Sequence, residues 1–389
     1  MNSWTENIAT GYLFYLRGTA YLLLAGLIVS AQSLANIEKA QAAPDEAKYQ
    51  EVVARGIEFL NSSQDKDGSY NKKYGIGVTT LAVTALLRHG RTVQDPNVAA
   101  GLKYIEASIQ PDGGIYSKDS PFKNYETALG ILCLSEANRD HKYDKQIAAA
   151  DKFLKGLQWD ESEDHDESNP AYGGAGYGHS KRPDLSNTAF LIDALKAAGN
   201  GANDPAMQKA LKFVSRCQNL ESEYNTTPFA AKNPDGGFYY TPVGDGSSEA
   251  GETANGGLRS YGAMTYAGLK SMLYAGVGPD DPRVKAATTW ISKFYDLKSN
   301  PGVGPAGLYY YYHLFAKALD ALGENTITDA QGVKHDWRAE LIAELASRQQ
   351  ASGSWVNGDS DKWLEGEPLL VTSYALLALD NCRPPKAEK

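Results

Sequence analysis

A short motif that recurs along the chain limits what this sequence can fold into. In its first copy, Phe59-Leu60 is followed by Gln64, then by a turn at Gly68 and an aromatic residue, Tyr70. The five-residue step from an aromatic residue to a glutamine recurs from Phe153 to Gln158 and from Phe213 to Gln218, and Trp290 keeps the step with Tyr295 in place of glutamine. The turn recurs from Gln349 through Gly353 to Trp355. Self-similarity at this spacing predicts a repeat architecture built from one supersecondary unit.

Each repeat has the pattern of two helices joined by a glycine-rich turn and a loop of variable length. The first helix is amphipathic, as shown by Val52 and Leu60 set against Glu51 and Arg55. The second helix is apolar on nearly every face and begins near a threonine, at Thr79, Thr127, Thr188, Thr265 and Thr372. The fifth copy, residues 308–319, has part of a tyrosine run instead.

Six such pairs predict an all-α fold, an α/α toroid (α6-α6 barrel) with six inner helices inside six outer helices. Each pair buries its apolar face only against its neighbours, and closing the ring removes the two exposed ends. The loops after the turns are longest in the third and fourth repeats, at residues 160–181 and 219–259. Long loops on one face of a toroid are where function usually lies.

The first 42 residues are predicted to be a signal peptide or an N-terminal anchor, and residues 43–389 the toroid. Arg17 precedes the apolar run from Ala20 to Ala31, and Ala40-Gln41-Ala42 resembles a cleavage site. This pattern favours an exported protein, periplasmic or extracellular, over one that stays tethered to a membrane by this segment.

The composition excludes some partners. The net charge is −9 and the chain has no basic cluster, so no nucleic-acid partner is expected. Cys133, Cys217 and Cys382 have neither metal-ligand spacing nor a disulfide framework, although one bridge between two of them stays open after export. No metal and no cofactor are predicted, and the sequence leaves the oligomeric state open.

The motif from Phe59 to Tyr70 resembles the repeat of the terpenoid cyclases and protein prenyltransferase β subunits, known as the prenyltransferase/squalene-oxidase repeat. The resemblance extends from Glu51 to Cys382. It implies the α/α toroid and, for a squalene-hopene-cyclase-like chain, an elongated apolar ligand of isoprenoid or triterpenoid type in the central cavity.

The same resemblance implies where an acid would lie. The cyclases use Asp-x-Asp-Asp followed by Thr-Ala, and this chain has Asp184-Leu185-Ser186-Asn187 before Thr188-Ala189. Asp184 is therefore the expected acid, helped by Glu126, which directly precedes Thr127-Ala128. A serine at the central position cannot protonate an alkene, so the usual cyclase reaction is not expected and a divergent cyclase or isomerase stays open. No zinc site of the prenyltransferase kind is evident.

Aromatic side chains on the inner helices are expected to line the cavity, where their faces hold a polyene and stabilise positive charge. The predicted ligand-binding residues are Tyr125, Asn187, Arg259, Tyr261, Tyr266, Tyr309, Tyr310, Tyr311, Tyr312, His313 and Tyr374.

Two other functions remain open. A protein with this degraded acid motif could bind a lipid without changing it, as a carrier or interaction scaffold. A toroid with aromatic walls could also act on polysaccharides, with Asp184, Glu126, Asp336, Glu365, Glu367 and Arg259 as candidates, although no carboxylate pair has a defining spacing.

Overall fold

The computed structural model describes residues 46–178 and 182–383. Within them lie 13 α-helices, three 3-10 helices and one antiparallel ribbon of two short strands. The helices are α1 (Glu46–Ser62), α2 (Gly77–Arg88), α3 (Pro96–Glu106), α4 (Lys123–Ala137), α5 (Asp144–Lys155), α6 (Leu185–Ala197), α7 (Pro205–Arg216), α8 (Pro228–Lys232), α9 (Gly262–Tyr274), α10 (Pro282–Lys293), α11 (Leu308–Leu322), α12 (Trp337–Arg348) and α13 (Pro368–Asn381). Strand β1 (Ile327–Thr328) pairs with β2 (Lys334–His335), with Ile327 opposite His335.

Six of these helices form a closed inner ring. Each of α2, α4, α6, α9 and α11 contacts the next, and α13 returns to contact α2. The outer helices α1, α3, α5, α7, α10 and α12 pack around this ring, and α1 contacts both α12 and α13. The predicted all-α toroid of six helix pairs is confirmed.

Burial separates the two rings. In α2 every residue from Gly77 to Leu87 is buried, whereas α1 buries a stripe that includes Val52, Ile57 and Leu60. The three cysteines are buried and unbridged, in keeping with their interpretation as small apolar residues.

The repeated glutamine ties neighbouring repeats together. The Gln158 side-chain amide donates to Gly173 O in its own turn and to Ala206 O in α7, both at 2.9 Å. Gln64, Gln218 and Gln349 make the same pair of bonds. The bond from Gln349 to Val52 O closes the ring between α12 and α1.

Two repeats depart from this rule. Gln110 bonds only within its own turn, to Ser108 O and Tyr116 O. Tyr295, which replaces the glutamine in the fifth repeat, instead reaches α12 through a hydrogen bond from its hydroxyl to Glu340 (2.8 Å).

The repeated threonine has a defined role at the start of each inner helix. The backbone N–H two residues after the turn glycine donates to the threonine hydroxyl at 2.9 to 3.1 Å in five repeats. Tyr70 to Thr79 and Trp355 to Thr372 are the first and last examples. This bond fixes each turn on the helix that follows it.

The predicted signal or anchor, residues 1–42, lies outside the described part of the chain. Among the helices that the structure describes, none combines the length and apolar character needed to cross a membrane.

Gly353 tests how much ring closure contributes to stability. It has φ +87°, and a Cβ there would lie 2.3 Å from Arg55 O in α1. Gly332 has φ +82° with open space around it, so Gly332→Ala reports the backbone strain alone, about 1–2 kcal/mol. We expect Gly353→Ala to lower the free energy of unfolding by about 1–3 kcal/mol more than Gly332→Ala, because of the added clash. Equal losses in urea denaturation would contradict the closure contact.

Candidate functional site

A cavity of about 370 Å³ lies where the N-terminal ends of the six inner helices meet. Every inner helix contributes to its lining, through Val78, Tyr125, Asn187, Met264, Tyr310 and Tyr374. The loops that connect outer to inner helices complete the wall, because they all lie on this face of the ring. They contribute Tyr74, Phe122, Tyr177, Tyr240, Glu249, Tyr261 and Trp363, among others.

The wall of the cavity is largely aromatic. Tyr125 packs edge-on against Phe190, with ring centroids 5.0 Å apart, and Tyr310 lies between Phe190 and Tyr374. The hydroxyl groups of Tyr125 and Tyr374 are 3.2 Å apart. At the mouth, Phe122, Trp363 and the neighbouring Leu364 are 40–44% exposed. An apolar ligand would therefore meet aromatic surface from the entrance to the floor.

Charged side chains fill the centre of the ring beyond the floor of the cavity. Lys270 and Lys317 both donate to the Asp193 carboxylate at 2.8 Å, and all three side chains are buried. His313 stacks on Tyr374 and, with Lys317 and Arg88, lines a second cavity of only about 20 Å³. Among the described residues, the large cavity therefore opens only on the face where the inner helices begin.

Two buried carboxylates line the cavity and cap inner helices. Glu126 accepts hydrogen bonds from Ser117 N (2.9 Å) and Ile76 N (3.3 Å). Glu365 accepts from Tyr309 N and Tyr310 N at the start of α11 (2.8 and 2.9 Å). Burial raises the pKa of both carboxyl groups. Each is therefore biased towards its protonated form, as a general acid requires.

Asp184, the expected acid, does not line the cavity. It is the N-cap of α6, where its carboxylate accepts from Asn187 N (2.8 Å) and from the Asn187 side-chain amide (2.7 Å). Burial raises the pKa of Asp184 to about 6. The cavity surface at this point is formed by Ser186 and Asn187, and the Ser186 hydroxyl lies 2.8 Å from that of Tyr310. Asp184 thus lies behind Asn187 and Tyr240, which both line the cavity.

The predicted tyrosine run contributes one residue to the cavity wall, not four. Tyr310 faces the cavity, whereas Tyr311 and Tyr312 donate to Asp296 O and Leu297 O in the preceding loop. Tyr309 packs edge-on against Tyr312. Successive positions on an α-helix are about 100° apart, so the run spreads around α11.

Of the other seven predicted binding residues, four line the cavity and three lie elsewhere. Tyr125, Asn187, Tyr261 and Tyr374 line the cavity. Tyr266 packs against Tyr311 and Phe315 in the core, His313 lies below the floor, and Arg259 is exposed on a loop where it donates to Glu252 O. Sequence reasoning missed Tyr177, Tyr240 and Trp363. The long loops of the third and fourth repeats were the available signal for the first two.

No group of three or more His, Cys, Asp or Glu side chains that could hold a metal ion occurs within residues 46–178 and 182–383.

Comparisons with known proteins support the resemblance seen in the repeat. Residues 76–241 match the family model of the squalene-hopene cyclase C-terminal domain. A Sinorhizobium fredii protein named "Probable squalene--hopene cyclase" is 25% identical over 224 residues, covering 50% of this chain and 34% of that protein. The chain thus spans about a third of the length of this relative. The predicted likeness to the terpenoid cyclase superfamily is confirmed.

Solved structures also align with most of this chain. The type II terpene cyclase MstE from Scytonema aligns over 87% of this chain and 98% of its own, at 13% identity and a TM-score of 0.32. A protein from Actinoplanes aligns over 86% and 99%, at 17% identity and a TM-score of 0.34. TM-scores this low carry no argument about the fold, which rests on the contacts between the helices of the ring.

The buried state of Asp184 predicts a pH effect on stability. Its pKa rises from 3.8 to about 6 on folding, so its contribution is fully present below pH 3.8 and is lost as the pH rises through about 6. At about 1.4 kcal/mol per pKa unit, Asp184 is expected to lower the free energy of unfolding of the wild type by about 3 kcal/mol as the pH rises through this interval. Asp184→Asn is expected to remove this decrease. Urea denaturation from about pH 4 to pH 7 measures it. Asp204→Asn, at the N-cap of α7, controls for loss of a capping carboxylate, and an unchanged slope in Asp184→Asn would contradict the assignment.

Proposed function

We propose that this protein binds an elongated apolar ligand of isoprenoid or triterpenoid type in the toroid cavity. The observation that carries the proposal is the aromatic wall, which extends from the exposed Phe122 and Trp363 at the mouth to Phe190 and Tyr374 at the floor. A concave site lined mainly by aromatic side chains, with a few polar groups, is typical of small-molecule binding.

The charges in the wall favour a ligand without a phosphate group. Among the described residues that line the cavity none is lysine, arginine or histidine, whereas Glu126, Glu249 and Glu365 are present. Glu249 is paired with Lys362 at the mouth (2.7 Å), and the other two carboxylates cap helices. A diphosphate would meet these carboxylates, and no cation among the described lining residues would compensate its charge, so a neutral isoprenoid is the better ligand.

We further propose that the toroid acts after export, either free or held at a membrane by its N-terminal segment. This part of the proposal rests on the apolar run and cleavage pattern within residues 1–42.

Ligand retention by the purified protein tests the main proposal. We expect mass spectrometry of extracted lipids to find a stoichiometric isoprenoid or triterpenoid, and Tyr310→Ala to reduce its amount at least about tenfold because it removes a ring from the wall. Tyr312→Ala is the matched control, since Tyr312 lies on the same helix but bonds to Leu297 O outside the cavity. Circular dichroism would verify that both variants are folded. A protein free of lipid that instead bound glycans would favour the polysaccharide alternative.

Proton transfer to the bound ligand is a second candidate function, favoured by the position of Glu126. Glu126 is 2% exposed, lines the cavity and has a pKa raised by burial, whereas Asp184 does not line the cavity. A protonated carboxyl group beside a polyene could act as a general acid.

Product analysis separates catalysis from simple binding. If Glu126 is the acid, Glu126→Gln is expected to lower product formation from squalene or a shorter polyene by a factor of about 10² or more. Turnover by the wild type is expected to fall as the pH rises, because the acid ionises. Glu249→Gln, at the mouth, is the control. Full turnover in Glu126→Gln would exclude the assignment, and a retained but unchanged ligand in the wild type would indicate a carrier.

A further inference from the structure

The centre of the ring, below the floor of the large cavity, holds more positive than negative charge. The ammonium groups of Lys270 and Lys317 share one carboxylate, that of Asp193, and both donate to the same oxygen at 2.8 Å. The three side chains are at most 8% exposed. Burial lowers the pKa of Lys317 to about 8 despite the neighbouring Asp193 carboxylate. One carboxylate therefore compensates two buried lysines only in part.

Arg88, the next cation in this region, does not change the balance. Its guanidinium is paired with Glu136 (2.8 Å) and with Asp380 (3.7 Å). Asp380 is in turn shared with Arg383. These two arginines and two carboxylates balance one another, so the excess positive charge of the lysines remains.

The small cavity of about 20 Å³ lies at this excess charge. Its volume is enough for one water molecule or one ion of similar size. Lys317 and Arg88 contribute to its lining with Thr84 and His313, and none of its described lining residues is aspartate or glutamate. Burial lowers the pKa of His313 well below its usual range, so this ring adds no charge. The rest of the lining is apolar and consists of Leu81, Leu129, Leu132, Phe190 and Leu377.

We propose that this small cavity binds one chloride ion. A buried charge without a counterion is costly because it has lost its hydration, and chloride supplies the missing negative charge. Lys317 has three N–H donors and uses one of them for Asp193, so it has donors left for an anion. The apolar part of the lining lowers the local dielectric constant and strengthens the attraction. A water molecule fits the same space but leaves the excess charge in place, and sulfate or phosphate is too large for it.

The position of the ion gives it a structural role. The charged side chains around it come from four inner helices: Arg88 from α2, Asp193 from α6, Lys270 from α9 and Lys317 from α11. Repulsion between the uncompensated lysines opposes the convergence of these helices, and a bound anion removes it. Because the site exists only in the folded ring, chloride is expected to stabilise the folded state.

The chloride dependence of thermal unfolding tests the site in the purified full chain. We expect a saturable rise in Tm, of about 2 °C at roughly ten times the Kd of chloride. Sodium gluconate at equal ionic strength is the reference, because gluconate carries the same charge but is too large for the cavity. Lys317→Met is expected to abolish the difference between the two salts. Lys285→Met is the matched control, since Lys285 is an exposed lysine on α10, and is expected to retain the difference.

Diffraction from wild-type crystals grown in bromide locates the ion, and it decides even where Lys317→Met fails to fold. We expect an anomalous peak inside the small cavity beside Lys317. Equal Tm values in the two salts, a chloride effect that persists in folded Lys317→Met, or bromide found only outside the cavity would each overturn the inference. These outcomes do not depend on what the large cavity binds, so they are separate from the test of the proposed function.

Discussion

The structure depends on the glutamine amide that joins one repeat to the next. An amide NH₂ group has two hydrogens, and in Gln158 one bonds to the turn of its own repeat while the other bonds to α7. The turn glycine must then pack directly on the neighbouring helix, as Gly173 does on the backbone of Lys209. Because the last of these bonds, from Gln349, returns to α1, the contact that joins four of the six repeats to the next also closes the ring.

The direction of the inner helices explains why carboxylates surround the cavity. Their N-terminal ends have unpaired N–H groups and need acceptors, which Glu126, Asp184 and Glu365 supply. Further along the inner helices, Lys270 and Lys317 share the buried carboxylate of Asp193. The carboxylates at the cavity therefore stabilise the fold, and recognition of a ligand falls mainly to the aromatic rings.

The fold could be predicted from the sequence because the repeat is local: spacing, turn glycines and threonines each act within a few residues. The candidate site could be predicted only in part. Whether Asp184 faces the cavity or its own backbone depends on its rotamer, and which member of the tyrosine run faces inward depends on the rotation of α11. Tyr240 and Trp363 lie in loops whose course is set by contacts distant in sequence, so no periodicity indicated them.

Ring closure also determines how this protein can open. An open array of repeats has two end units with a single neighbour each, and these fray first. Here α1 packs on α12 and α13, so every repeat has two neighbours and loss of any one breaks two interfaces. The toroid is therefore expected to resist local fraying and to unfold as one cooperative unit. A ligand cannot enter between transiently separated repeats, and exchange must take place at the mouth between the loops that hold Phe122 and Trp363.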